Sequence, residues 1–297
     1  MTTPTPTAPA AIADTLAAAL SFTERRLAAF GSEARREARA LLEQCLGLAS
    51  SDLYVNRERV LTASERQRLD EWCQRRASGE PLAYLTGRRE FWSLDFAVSP
   101  AVLIPRPETE ILVETVLREG DRLHRRNTNP PSIVDLGTGS GAIAIAIAHE
   151  RPTWTVSAVD VSAAALQVAT ANAARLGVTV KFLHGSWFEP LGDARYDIVV
   201  SNPPYVEASD PVLRGDSLRF EPRLALTPGE DAYAALQSIL DSATQHLHAD
   251  GWLCLEHGAN QADELRRRLV ARGYAHVVSL PDLAGLDRVT IGRRPAL

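Results

Sequence analysis

Ser132-Ile133-Val134-Asp135-Leu136-Gly137-Thr138-Gly139-Ser140-Gly141-Ala142 leads from an apolar run through a glycine loop into the Ala/Ile-rich stretch 142–148. The residue types predict a strand, a tight loop and a helix. Glycine permits positive φ and close backbone approach, and a helix N-terminus offers free N–H groups to a ligand. Gly137, Gly139 and Ala142 also satisfy the G-x-G-x-x-G/A dinucleotide fingerprint, which is weak alone. Asp135 tips the balance. A carboxylate just ahead of the loop is poorly placed for a pyrophosphate but favourable near a ligand carrying an ammonium and a sulfonium, a description that S-adenosylmethionine fits. Asp160 closes the next apolar run, 155–159, where a ribose-hydroxyl acceptor is expected for either cofactor class.

Outward from this segment the pattern alternates. Strands are predicted near 132–136, 155–160, 178–184, 196–201, 251–256, 275–280 and 287–292, with helices near 141–150, 162–176, 230–248 and 259–272. Such alternation implies an α/β fold with a parallel sheet covered on both faces. Residues 287–292 follow the preceding strand with no helix between, which favours an antiparallel last strand. Before the sheet, a helix is expected over 108–118 and an exposed polar loop over 122–131. Residues 90–98 alternate around a tight turn and read as a hairpin, with Pro100, Pro105 and Pro107 as stiff punctuation. Residues 11–86 carry apolar positions at helical spacing, among them Leu41, Leu42, Cys45 and Leu69, and read as a small helical domain. Ser32 and Ser64, each followed by Glu, are plausible helix starts. The Thr/Pro-rich residues 1–10 have almost nothing to bury and are expected to be disordered.

A second motif, Asn202-Pro203-Pro204-Tyr205, directly follows the apolar run 196–201. It belongs where a buried parallel strand opens into the crevice of an α/β sheet. Two prolines fix the backbone and donate no hydrogen bond, so the Asn202 side chain and the Pro203 carbonyl form a rigid, acceptor-rich loop. Such a loop suits the two N–H donors of an amide or exocyclic amine, and the Tyr205 ring is able to cover a flat group. Alone, the tetrapeptide could also be a plain strand-ending turn.

Composition sets wide bounds. The 297 residues carry a formal net charge of −5, which argues mildly against a generic nucleic-acid binder. Cys45, Cys73 and Cys254 lack C-x-x-C spacing, which suggests a reducing compartment and no metal site, and the seven histidines show no ligand spacing. The N-terminal stretch has no basic region of the signal-peptide kind, and no segment approaches the ~18 apolar residues of a membrane span. A cytoplasmic protein is expected.

With both motifs in hand, the chain resembles the release-factor glutamine methyltransferases, the PrmC/HemK family of class I S-adenosylmethionine-dependent enzymes, from about residue 20 to the end. Further matches are G-E-P-L-A-Y-L-T-G (79–87), R-E-F-W-S-L (89–94), V-L-I-P-R-P-E-T-E (102–110), R-F-E-P-R-L-A-L (219–226) and L-E-H-G (255–258). The resemblance implies a Rossmann-like, seven-stranded, mostly parallel sheet with an antiparallel last strand, over 107–297. Ahead of it would come a helical substrate-recognition domain (11–86) and a β-hairpin linker (87–106). It implies cofactor contacts at Asp135, Gly137, Thr138, Gly139, Ser140, Gly141, Asp160, Trp187 and Asn202. Substrate contacts would fall at Asn202, Pro203, Pro204, Tyr205 and Glu221, with Asn202, Pro203 and Tyr205 catalytic. Trp187 resembles the family's adenine-contacting aromatic, although Ser186 stands where the family often has Asp. The implied reaction moves a methyl group onto the side-chain nitrogen (N5) of the glutamine in the Gly-Gly-Gln motif of class I peptide-chain release factors. N-P-P-Y is shared with enzymes that methylate amino groups of DNA and RNA bases, which keeps a nucleic-acid substrate as the alternative.

Overall fold

The computed structural model describes residues 14–126, 129–215 and 217–295. The stretch expected to be disordered, 1–10, lies outside them. Contacts divide the chain between Thr86 and Gly87 into two compact units.

The first unit is helical: α1 (Leu16–Arg26), α2 (Ala34–Leu46), α3 (Asp52–Val55), α4 (Ala63–Ala77) and α5 (Leu82–Thr86). Leu16, Ala19, Phe22, Leu41, Leu42, Leu53, Leu61 and Leu69 make its core. The start of α4 is set by Thr62 rather than Ser64. Thr62 accepts from the Glu65 backbone while Glu65 reaches back to the Thr62 N–H, a reciprocal capping box. Helix α2 is preceded by a 3-10 segment and has Glu33, not Ser32, at its N-cap.

The second unit opens with the hairpin β1 (Arg88–Phe91) and β2 (Leu94–Ala97), closed by Trp92 and Ser93 at φ 53° and 55°. Helix α6 (Glu110–Arg126) follows and runs eight residues beyond the predicted end, through Gly120. This glycine is no stop signal. A Cβ there would lie 2.2 Å from the Trp154 ring, so Gly120 makes room for a buried indole. Leu123 prolongs the apolar stripe, and Glu119 is held by Arg118 and Arg122.

The sheet elements then alternate as β3 (Ser132–Leu136), α7 (Ala142–Glu150), β4 (Thr155–Asp160), α8 (Ala163–Leu176), β5 (Lys181–His184) and β6 (Tyr196–Ser201). After the short α9 (Arg223–Leu226) come α10 (Ala234–His246), β7 (Leu247–Glu256), α11 (Ala262–Ala271), β8 (Ala275–Pro281) and β9 (Asp287–Arg293). Strand β5 is shorter than predicted: pairing with β4 begins at Lys181, while Val178 and Val180 pack on the core ahead of it. Strand β7 is longer and takes in His248, which the sequence places in a helix end.

The sheet order is β5-β4-β3-β6-β7-β9-β8. Strands β3 to β7 pair in parallel, and β9 runs antiparallel to both its neighbours. This is the seven-stranded class I methyltransferase arrangement. From β3 the chain steps outward to β4 and β5, then returns to lay β6 on the other side of β3. That reversal opens a crevice at the carboxyl ends of β3 and β6, the usual ligand position in an open α/β sheet.

Candidate active site

Sheet register brings four strand ends into line. Leu136 pairs with Val159 and with Ser201, and Ser201 pairs with Leu255. The next residues along the chain are Gly137, Asp160, Asn202 and Glu256. A cavity of ≈ 290 Å³ opens above the first three, lined also by Gly139, Val102, Val161, Trp187, Pro204 and Leu224.

The glycine loop is shaped from several sides. Gly137, Gly139 and Gly141 have φ of 73°, 56° and 84°. At Gly141 a Cβ would also meet Ile145 at 2.7 Å and Ala169 at 3.2 Å, so only glycine lets α7 and α8 approach here. Asp160 organises the loop: Oδ2 accepts from Gly139 N–H at 2.8 Å and Oδ1 accepts from Ser162 N–H at 2.8 Å. Burial raises its pKa against the opposing effect of these bonds. Thr138, Ser140 and Gly141 are not among the lining residues.

Asp135 lies fully buried below the loop, also off the cavity wall. Its Oδ2 accepts from the Thr138 hydroxyl at 2.6 Å, and its Oδ1 has no hydrogen-bond partner among the described residues. Desolvation pushes its pKa up to about 7, with Asp160 adding to the rise, against the opposing bonds from the Thr138 hydroxyl and the Ala144 backbone. A buried, half-satisfied carboxylate is stabilised by a nearby positive charge. The donor set therefore fits a cationic cofactor: an unsatisfied carboxylate under a glycine loop, a second carboxylate at the wall, and largely apolar surroundings. Trp187 stands at that wall with φ 46°, a left-handed conformation uncommon for a bulky residue.

Asn202 and Pro204 line the cavity, while Pro203 is buried behind them. The Asn202 Nδ2 donates to Thr109 Oγ1 at 3.2 Å, which turns Oδ1 away from Thr109. The Tyr205 hydroxyl makes a long contact of 3.5 Å to Glu256 Oε1, and burial raises its pKa. Glu221 is placed differently from the substrate contact that the resemblance implies. It is buried, with Oε2 accepting from Ile104 N–H at 3.0 Å and Oε1 paired with Arg106 at 2.5 Å. Both oxygens thus tie the 102–107 loop to the 219–226 loop, and the adjacent Pro222 reaches the cavity instead.

Three residues near the site received no role from the sequence. Thr109 and Glu256 stand behind Asn202 and Tyr205. Asn172, fully buried on α8, bonds Ala97 N–H at 2.8 Å, Ala97 C=O at 3.0 Å and Ser140 C=O at 2.9 Å, joining hairpin and glycine loop to one helix. Thr109 and Glu256 belong to the R-P-E-T-E and L-E-H-G matches, the one signal that pointed at them.

Residues 18–87 match the PrmC N-terminal domain family, and residues 108–214 match the methyltransferase small domain family. The chain is 43% identical over 261 residues to the release factor glutamine methyltransferase of Coxiella burnetii, covering 88% of this chain and 92% of that one. It is 46% identical over 266 residues to that of Burkholderia pseudomallei, covering 87% and 92%. Among solved structures it is similar in fold to a methyltransferase from Pyrococcus furiosus, with a TM-score of 0.51, 19% identity, and 68% and 90% of the two chains covered. Identity of this extent along most of both chains shows that the chain belongs to the release factor glutamine methyltransferase family.

Proposed function

We propose that this protein transfers a methyl group from S-adenosylmethionine to the N5 nitrogen of the glutamine in the Gly-Gly-Gln motif of class I release factors. The observation that carries the reading is the orientation of Asn202. With Nδ2 engaged by Thr109, the acceptor Oδ1 is left for an incoming N–H donor, at a cavity shared with the glycine loop. The curated relatives are named release factor glutamine methyltransferases, which supports the substrate class.

Bound S-adenosylmethionine supplies an electrophilic methyl group on a positively charged sulfur. Asp160 would hold its ribose hydroxyls, Trp187 its adenine, and Asp135 with Gly137 and Gly139 its charged end. An amide nitrogen is a poor nucleophile because its lone pair is delocalised into the carbonyl. Asn202 Oδ1 and the Pro203 carbonyl would accept its two hydrogens, orienting the nitrogen and returning electron density as it attacks. Tyr205 would cover the amide plane. Glu221 would serve indirectly, by fixing the loops that carry Val102 and Pro222 to the cavity.

Incubating purified release factor with the enzyme and S-adenosylmethionine, followed by intact mass and peptide mapping, tests the reading. One added methyl on the Gly-Gly-Gln glutamine is expected. Incorporation into DNA or RNA alone would overturn it in favour of base methylation.

A further inference from the structure

Three buried residues of α8, Ala165, Ala169 and Asn172, stand at i, i+4 and i+7 and so form one stripe of the helix. Ala165 lines the cofactor cavity, and Ala169 lies against Gly141, where a Cβ would meet its own Cβ at 3.2 Å. Asn172 ends the stripe. It is 0% exposed, and both ends of its amide are engaged. Oδ1 accepts from Ala97 N–H at 2.8 Å and from Arg175 Nη2 at 3.2 Å, while Nδ2 donates to Ala97 C=O at 3.0 Å and to Ser140 C=O at 2.9 Å. The hairpin explains the bonds to Ala97. Val98 N–H bonds Gly87 C=O across it, so the alternation of an antiparallel pair turns both Ala97 groups away from β1. The Asn172 side chain meets them as a third strand would.

Resting on the reading of S-adenosylmethionine as the ligand of the cavity, we propose that Asn172 is a positioning residue that sets two walls of the cofactor site at once. One wall is the glycine loop, where the bonded Ser140 carbonyl directly follows Gly139, a lining residue. The other is segment 101–103, which reaches the cavity a short way beyond the bonded Ala97. Both walls are thereby registered to α8, whose N-terminal end gives Ser162 and Ala165 to the same cavity. An amide suits this task because it carries two donors for two carbonyls and an acceptor for an N–H on one short stem. An aliphatic side chain would take these partners from three backbone groups, and a carboxylate would set an acceptor against two acceptors. Walls held in place before the ligand arrives lose less conformational freedom when it binds. Asn172 touches no cofactor atom in this role and acts through the backbone that it holds.

Asn172→Ala is expected to raise the Kd for S-adenosylmethionine, measured by calorimetry on the full chain without substrate, by about ten-fold or more as preorganisation is lost. In the cofactor-free protein, amide hydrogen exchange in 95–103 and in 137–141 should quicken together. A loss of stability alone would not produce this pattern. The control is Ala171→Gly combined with Ala174→Gly, at two exposed positions of the same helix. That double variant lowers stability through helix propensity, and it should keep the Kd within about two-fold of the wild type and leave exchange in both segments unchanged. If Asn172→Ala does not melt cooperatively, Asn172→Ser carries the same expectation with a hydroxyl in the same space. A folded Asn172 variant that binds S-adenosylmethionine like the wild type, or a control that weakens binding as much, overturns the proposal. Wild-type protein without affinity for S-adenosylmethionine would overturn the reading of the cofactor, and this assignment with it.

Discussion

Asn202 and Asp135 both offer oxygen acceptors near the cavity, yet their removal should read out in different quantities. On the proposed function Asn202 accepts from the substrate nitrogen, so Asn202→Ala is expected to lower turnover by on the order of 10²–10³, as for loss of one preorganised catalytic group. Cofactor affinity by calorimetry should change far less, and near-normal turnover would remove Asn202 from the chemistry. Asp135 is a different case, because its folded pKa is raised to about 7 by burial. Between about pH 4 and pH 7 the folded protein holds a proton there that the unfolded chain releases, so this carboxyl makes the fold less stable as pH rises through that window. Asp135→Asn should therefore raise the thermal midpoint of the cofactor-free protein at pH 8 and leave it little changed at pH 4. The same variant should weaken S-adenosylmethionine binding. A melting temperature at pH 8 unchanged or lowered, measured by calorimetry, would contradict the assigned cost. Asn202, Asp160, Gly137 and Gly139 were legible in the sequence as residues of the crevice, because adjacent residues mark the strand ends and the loop. Thr109 and Glu256 were not. Thr109 meets Asn202 across 93 positions of chain, through a register that only the folded sheet supplies. The partners of Glu221, Ile104 and Arg106, lie 117 and 115 positions away and were out of reach of any local pattern in the same way.

At the scale of elements, strand order was readable from alternation, whereas ends were decided by tertiary partners. Gly120 reads as a helix breaker, since glycine costs about 1 kcal/mol relative to alanine inside a helix. Within α6 it is instead the one side-chain-free position over which the buried Trp154 ring lies. Gly120→Ala thus sets a propensity gain against a Cβ placed 2.2 Å from that ring. Overpacking of this kind typically costs about 1–3 kcal/mol, so the clash should outweigh the gain and leave a net loss of up to about 2 kcal/mol. Denaturant titration measures it, and a stabilised Gly120→Ala protein would show that Trp154 repacks at little cost. The hairpin presents the converse case. Its turn residues Trp92 and Ser93 adopt positive φ without glycine, and Trp92 is held by Glu110 and Glu150, both at 2.8 Å. The tight turn was anticipated from alternation, but the carboxylates that secure it come from α6 and α7, outside the reach of any local pattern.

At the scale of the whole molecule, the cofactor cavity and the N-P-P-Y loop belong to the second unit, while the helical unit ends at Thr86. We propose that the helical unit grips a part of the release factor remote from the Gly-Gly-Gln loop. Binding energy from a remote contact then helps hold a thin loop in reacting geometry, although it touches no reacting atom. Such a role makes a prediction that depends on the size of the substrate. Removing residues 1–86 should leave S-adenosylmethionine affinity largely intact, since every residue lining the cavity lies beyond Thr86. Methylation of full-length release factor should fall by roughly ten-fold or more, as expected when remote binding no longer orients the reacting group. A short Gly-Gly-Gln peptide, too small to reach a remote surface, should be a poor substrate for both forms and lose much less on truncation. Initial rates of labelled-methyl incorporation into each substrate measure the difference, once circular dichroism and a cooperative melt show that the truncated protein is folded. Equal proportional losses on peptide and full-length factor would mean that the helical unit supports the catalytic fold in general and plays no part in gripping the partner.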